Sequence, residues 1–373
     1  MSKKGRVLVA MSGGIDSTAT AMLMHDEGYE VVGITMKTWD YAQSGGSKKE
    51  TGCCSLDSIN DARAVAVKMG FHHFIVDIRE EFGDYVIDNF VDEYLAGRTP
   101  NPCVLCNTHI KWSSLLKRAD ALDCEFIATG HYAKINALDG RRFITKAVDL
   151  NKDQSYVLWG LTPECLARTT FPLGDMLKPD VRRYVFGAGF EEFSKKAESY
   201  EICFVPDNDY RGFLRRRVPD LQDSLRGGKF VNGIGEVIGT HEGYPFYTIG
   251  QRKGLGKAFG KPMFVTKILP ETNTVVLGEM DELLRNGMTV GKVNLQKYAA
   301  IPDGFEAITQ IRYNDGGTLA SLKNLPSSGG NTEGGIYAEF YANVKGVAPG
   351  QSAVFYEGDD VIGGGIIMGS RLN

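Results

Sequence analysis

The sequence predicts an α/β protein. Its N-terminal domain is a doubly wound parallel sheet, followed by a small β-rich central domain and a C-terminal β-barrel. Three observations carry this. Short apolar runs alternate with stretches of helical spacing as far as Thr129, the pattern of a parallel sheet covered by helices on both faces. A glycine-rich turn follows the first apolar run, at the end of a strand where such sheets bind ligands. After about residue 205 the helical spacing gives way to short β-rich runs punctuated by Gly and Asp, as in small barrels and sandwiches. At 373 residues the chain exceeds one ordinary core, and the expected boundaries are 1–205, 206–287 and 288–373.

In order, Arg6–Met11 reads as a buried strand, and Asp16–Glu27 as a helix ended by Gly28. Tyr29–Met36 is the second strand. Asp57–Met69 has helical spacing and stops at Gly70. Phe74–Ile78 is a third strand, Glu80–Leu95 a long amphipathic helix, Ile110–Leu122 another helix, and Cys124–Thr129 a fourth strand. Further on, "MTVGKVNL", "FEAITQIRY", "GIYAEFY" and "QSAVFYEGDDVIGGGIIMG" are purely β in pattern, and "SSGGNTEGG" (327–335) is a loop tip.

Bulk properties narrow the classes. A net charge of −4 argues against indiscriminate nucleic-acid binding while leaving room for a local basic face. No apolar stretch reaches the roughly eighteen residues of a membrane span, so no membrane partner is expected. The apolar run from Val7 to Met11 is too short for a signal peptide. A cytoplasmic location is the expectation. There the seven cysteines start reduced, and clustered ones point to metal or redox chemistry.

In "MSGGIDSTAT", Ser12-Gly13-Gly14-Ile15-Asp16-Ser17 joins a strand to a helix. Glycines let the backbone fold tightly round oxyanions, and the helix start offers free N–H groups and a positive dipole end. Ser12 and Ser17 add hydroxyls. No lysine is present to reach a terminal phosphoryl group, so cradling pyrophosphate, the leaving group of attack at an α-phosphate, fits better. Read alone, the segment is equally a tight turn with Asp16 as helix cap. The whole pattern resembles the pyrophosphatase-loop ATP hydrolases, which adenylate a substrate oxygen.

Cys53 and Cys54 are adjacent, Cys103 and Cys106 form C-x-x-C, and Cys203 lies in "ESYEICFVPD". The first four offer zinc four thiolates, although adjacent cysteines are an unusual zinc spacing. The competing reading is sulfur chemistry by a C-x-x-C thiolate. It is presented from a loop in which Pro100, Asn101 and Pro102 keep the backbone extended. Cys124 and Cys165 read as inert core residues, and core packing is the default for Cys203 from its local context.

Taken together, "SGGIDS", "GCCSLDSINDARAVA", "GRTPNPCVLCNTHIKW", "ATGHYA", "KDQSYVLWGL", "EICFVPD", "YTIGQRKGLG" and "GQSAVFYEGDDVIGGG" resemble the tRNA-specific 2-thiouridylases along almost the whole chain. The resemblance implies an adenine nucleotide alpha-hydrolase-like sheet. It implies ATP adenylating O2 of a wobble uracil in tRNA, with Mg²⁺ on the phosphates and no metal site of the protein's own. A sulfur-carrier protein would load a persulfide on Cys203, and Cys106 would release the product by forming a disulfide with Cys203. By motif position, Ser12, Gly13, Gly14, Ile15, Asp16 and Ser17 would hold pyrophosphate, and Met36 and Gly130 would flank adenosine. Asn101, Pro102 and Cys103 would meet the base, which must flip to enter a pocket. His131, Lys152, Asp153, Gln154, Arg312, Tyr313 and Gln351 would touch tRNA.

One departure stands out. Many members carry aspartate, an acid/base group, where this chain has Cys103. Either another group takes the proton or Cys103 joins the sulfur relay. Local readings also persist. His131 suits a satisfied loop histidine, Lys152-Asp153-Gln154 a solvated turn, and Arg215-Arg216-Arg217 a solvated face. Gln251-Arg252-Lys253-Gly254 suits a phosphate-contact loop or a hairpin turn. Two other function classes remain: a small-molecule adenylating synthetase, which needs the loop but not Cys106 or Cys203, and a zinc-binding nucleic-acid module with a degenerate loop.

Overall fold

The computed structural model describes residues 4–39, 55–196, 202–205, 207–326 and 334–371. Cys53 and Cys54, and with them the four-thiolate zinc reading, lie outside the described residues. The chain divides into two compact units, Met1–Val86 with Cys103–Asp209 and Asp359–Ile362, and Ile87–Pro102 with Tyr210–Gly358 and Gly363–Asn373.

In the first unit, β1 (Arg6–Ala10) leads into α1 (Ile15–Asp26), and β2 (Glu30–Lys37), α2 (Leu56–Met69) and β3 (His72–Asp77) follow. Later come β4 (Phe126–Ala128), the pair β5 (Lys134–Leu138) and β6 (Arg141–Thr145), and β7 (Thr169–Thr170). Strands β3-β2-β1-β4-β7 form one sheet in that order, every pairing parallel. Val7, Leu8 and Val9 of the central strand are completely buried, as a strand with neighbours on both edges and helices on both faces must be. The chain winds one way from β1 through β3 and the other way from β4 to β7. The switch therefore falls between β1 and β4, and a crevice opens beyond their C-terminal ends.

The third strand and the long helix lie where the sequence predicts them, with ends shifted by up to two residues: β3 spans His72–Asp77 on the sheet edge, with Phe74 44% exposed, and the helix runs through α3 (Arg79–Phe82), a π turn (Gly83–Ile87) and α4 (Asp88–Leu95). Two expectations need correction. The segment around Cys103 and Cys106 is not an extended loop. A helix starts at Pro102 as α5 (Pro102–Leu105), passes through a π turn (Cys106–Lys111) and continues as α6 (Trp112–Ala121). Proline suits a first helical position, where its missing N–H costs nothing. Cys165, in α7 (Pro163–Ala167), is half-buried rather than core, whereas Cys124 is buried. The β5–β6 hairpin adds a pair absent from the expected elements; its turn is Asp139-Gly140, both with positive φ, a strong hairpin signal.

In the second unit, α10 (Tyr210–Arg217) precedes a four-stranded sheet of β8 (Gly228–Val231), β9 (Val237–His241), β10 (Phe264–Leu269) and β11 (Thr274–Gly278). Then come β12 (Leu284–Leu295), β13 (Phe305–Gln310), β14 (Thr318–Leu325), β15 (Gly335–Lys345), β16 (Ser352–Glu357) and β17 (Asp360–Arg371). They lie in the order β12-β15-β14-β13-β16-β17, and β12 also pairs with β17, which closes a barrel. The β-rich centre and C-terminal barrel are as the sequence predicts.

Candidate active site

The glycine loop occupies the crevice at the switch. Gly13 has φ +73°, and a Cβ there would lie 2.1 Å from the carbonyl oxygen of Ser58 in α2. Glycine is thus obligatory where the loop crosses that helix. A Cβ on Gly130, beyond β4, would meet the Asp16 and Ser17 backbone at 2.9 and 3.0 Å, so both glycines keep the crevice narrow. Gly14 caps α1 with no side-chain hydrogen bond. Ser17 Oγ donates to the Gly14 carbonyl at 3.0 Å and accepts from Ser12 N at 3.1 Å. A cavity of about 250 Å³ opens here, lined by Ser12, Asp16 and Ser17 of the loop, Met36 of β2, Gly130 and His131 beyond β4, and Lys111.

A lysine is present after all, supplied from far along the chain. Lys178 opens α8 (Lys178–Gly187), which α9 (Glu191–Ser194) follows. Only 6% exposed, it sets its ammonium 2.6 and 2.7 Å from the two carboxylate oxygens of Asp16. The Tyr132 hydroxyl donates to Asp16 Oδ1 at 2.8 Å. Asp16, in the first turn of α1, is thereby held beside the positive helix end. Lys196 donates to the Gly13 carbonyl at 3.0 Å and pairs with Asp61 of α2.

His131 is clamped on three sides. Its Nδ1 lies 2.7 Å from Thr129 Oγ1, and its ring packs on Trp112 and Phe171 with centroids 5.6 and 6.0 Å away. Burial, with the nearby Lys111 charge adding to it, holds the imidazole well below its ordinary pKa. Lys111 ends the π turn that begins at Cys106, and its ammonium donates to Asn107 Oδ1 at 2.9 Å. The cysteine-bearing helix therefore delivers a cation to the cleft. Cys103 is exposed, yet the protein walling its sulfur pushes the thiol pKa up, and Lys111 opposes this only in part.

Cys106 and Cys203 are half-buried thiols whose segments dock on one helix. Phe204, next to Cys203, packs edge-on to Phe82 of α3 at 5.9 Å. Tyr85, in the π turn after α3, stacks on His109, three residues past Cys106, at 6.0 Å. Among the other predicted residues, Gln154 Oε1 accepts from Tyr132 N at 3.0 Å. Asp153 accepts from Ala147 N at 2.8 Å and from Ser155 Oγ at 2.6 Å, so its carboxylate braces the loop rather than facing solvent. Lys152 donates its N–H to the Asp149 carbonyl at 2.9 Å.

Comparison with known proteins places this geometry. Family models match residues 5–207 (tRNA methyl transferase HUP domain), 211–279 (tRNA methyl transferase PRC-barrel domain) and 286–367 (Aminomethyltransferase beta-barrel domain). The chain is 61% identical over 370 residues to a tRNA-specific 2-thiouridylase of Amoebophilus asiaticus, covering 99% of this chain and 96% of that one. It belongs to the tRNA-specific 2-thiouridylase family. Thiouridylases of Cytophaga hutchinsonii and Salinibacter ruber are 61% and 55% identical, over 99% and 98% of this chain and 99% and 95% of theirs. It is thus a sulfurtransferase enzyme.

The remaining residues predicted for this thiouridylase lie in the second unit. Gln351 Nε2 donates to the Thr99 and Pro100 carbonyls at 3.3 and 3.0 Å, and Thr99 N donates to the Pro349 carbonyl at 2.8 Å. Gln351 therefore fixes the segment leading to Asn101 and Pro102, of which Pro102 is buried and Asn101 half-buried. Arg312 donates to the Lys345 carbonyl at 2.8 Å, and Tyr313 is 47% exposed. In the arginine run that ends α10, Arg217 pairs with Asp88 at 3.1 Å and Arg215 lies over the Phe246 ring at 4.6 Å, while Arg216 is exposed.

Proposed function

We propose that this enzyme 2-thiolates uridine at the wobble position of tRNA in two stages: adenylation of uracil O2 by ATP, then sulfur transfer from a persulfide on Cys203. The observation that carries the reading is the glycine loop at the start of α1, sharing its cleft with Lys111 at the end of the Cys106 π turn. A nucleotide site and the thiol-bearing helix thus meet in one unit. Ser12, Gly13, Gly14, Ile15, Asp16 and Ser17 would hold the departing pyrophosphate, with Met36 and Gly130 beside the adenosine. Cys106 would free the product by attacking Cys203. The docking of both cysteine segments on the 79–87 stretch supports that pairing. Methyl transfer, named in the description of two matched family models, would give these thiols no task.

Both Asp16 oxygens are taken up by Lys178, and no group of three metal-ligating side chains exists among the described residues. These residues do not fit a protein-held metal, so Mg²⁺ would arrive on the ATP phosphates, its charge easing their approach to the loop. Our reading adds a sulfur-carrier protein as donor, tRNA contacts through His131, Lys152, Asp153, Gln154, Asn101, Pro102, Cys103, Arg312, Tyr313 and Gln351, and a cytoplasmic setting. It keeps the domains 1–205, 206–287 and 288–373. No described helix is long and apolar enough to cross a membrane. The test is transfer of labelled sulfur to tRNA: it should need both ATP and tRNA, and should release AMP. Sulfur transfer without ATP would refute the adenylation step.

A further inference from the structure

We infer that His131 accepts the proton that uracil N3 loses while O2 is adenylated. The inference rests on the adenylation reading above and names a residue for its proton. The step requires an acceptor. As O2 bonds to the α-phosphorus and the bond to pyrophosphate breaks, the N3–H electrons become the second bond of C2=N3 and a proton must leave.

The chain's residues narrow the choice. Cys103 faces solvent from walls that favour its protonated form, so near neutral pH it holds its proton. His131 is in the opposite condition. It lines the same cavity as Ser12, Gly130 and Lys111, and its burial and the Lys111 charge keep the imidazole neutral. In the tautomer whose Nδ1–H donates to Thr129 Oγ1, across the observed 2.7 Å, Nε2 carries an open lone pair. Trp112 and Phe171 stop the ring from turning. A base must also not be too weak. The negative phosphates of bound ATP oppose the influence of Lys111 and raise the imidazole pKa towards neutrality, where a general base works best. The imidazolium then returns its proton to N3 when C2=S forms and the ring regains N3–H.

The decisive experiment compares His131 with His131→Gln in two backgrounds, wild type and Cys103→Asp, by single-turnover AMP formation on tRNA. In the wild-type background we expect a loss of about 10²-fold or more at saturating tRNA, larger than any loss of tRNA affinity. In the Cys103→Asp background, where a carboxylate replaces the thiol on the helix that brings Lys111 to the cavity, the loss should shrink to under about tenfold. Imidazole NMR on the unmutated protein gives a second readout: His131 should titrate below 6.5 when free and higher with a non-hydrolysable ATP analogue. Equal losses in both backgrounds, a rate loss matched by lost tRNA binding, or a titration unmoved by nucleotide would each overturn the proposal. Absence of any tRNA-dependent AMP formation by wild type would instead strike the adenylation reading itself.

Discussion

The ammonium of Lys178 sits 2.6 and 2.7 Å from the two carboxylate oxygens of Asp16, across 162 residues of sequence. The loop thus has its cation, borrowed from the first turn of α8, and Lys178 and Asp16 stand or fall together. Removing the carboxylate strands a buried ammonium, at a cost of about 3–5 kcal/mol. Asp16→Ala should therefore lower stability in urea as well as adenylation. The double change Asp16→Asn with Lys178→Met should be more stable than Asp16→Asn alone. If Asp16→Ala unfolds at the wild-type urea midpoint, the pair is not a structural one.

This coupling marks the limit of what the sequence shows. The segment β1–loop–α1 is legible because a triple-aliphatic run, two glycines and a helix-capping pattern are all local. Lys178 is not legible. In "MLKPDV" it looks like any lysine at a helix start, and only tertiary packing turns it inward. Tyr132, beside His131, is illegible for the same reason. The π turns at Gly83–Ile87 and Cys106–Lys111 have no composition of their own, so local pattern puts the cysteines on an extended loop. Asp139-Gly140, by contrast, is a turn signal readable from the sequence alone.

The second prediction concerns acid. His241 is 4% exposed, packs edge-on to Phe230 and Tyr247 at 5.0 and 5.3 Å, and accepts from Gly243 N at 3.1 Å through Nδ1. Burial lowers its pKa from 6.5 to about 4. The unfolded chain binds the proton first as pH falls, so the stabilisation is present above about 6.5 and is lost as pH drops through about 4. His73 and His131, also held low, act in the same direction. Urea midpoints between pH 7 and 4 should fall, and His241→Phe should flatten part of that slope. An unchanged slope in the variant would assign the acid sensitivity elsewhere.

The third concerns tRNA. Contacts between Lys or Arg and phosphate release counterions, so affinity should fall steeply with salt. Arg216, exposed in the arginine run that ends α10, is the residue to probe. Arg216→Glu should weaken tRNA binding and reduce the salt slope, read by filter binding at several ionic strengths. Equal affinity at low and high salt would contradict a phosphate-tracking surface.

The last prediction separates the thiols. Cys203, as the sulfur carrier, makes Cys203→Ser lose persulfide loading and all thiolation while keeping ATP-dependent adenylation of tRNA, a step that needs no thiol. Cys106 acts later. Cys106→Ser should accept a persulfide but fail in turnover without added reductant. Oxidised wild type should contain a Cys106–Cys203 disulfide, found by peptide mapping after alkylation. Such a bond needs the two Cα atoms within about 7 Å. Both segments rest against the same 79–87 stretch, through Phe204 on Phe82 and His109 on Tyr85, so a modest shift of either along that helix changes their separation. The π turn starting at Cys106 is the place to look for it, since such turns break the regular hydrogen-bond ladder at functional sites. Cys103 stands apart, exposed and with its thiol pKa pushed up. Protonation slows its attack on a persulfide, because the thiolate is the nucleophile. Alkylation of Cys103 should therefore be slow at neutral pH and speed up as pH rises. Mapping a Cys103–Cys203 bridge with Cys106 alkylated would reverse the assignment and make Cys103 the resolving thiol.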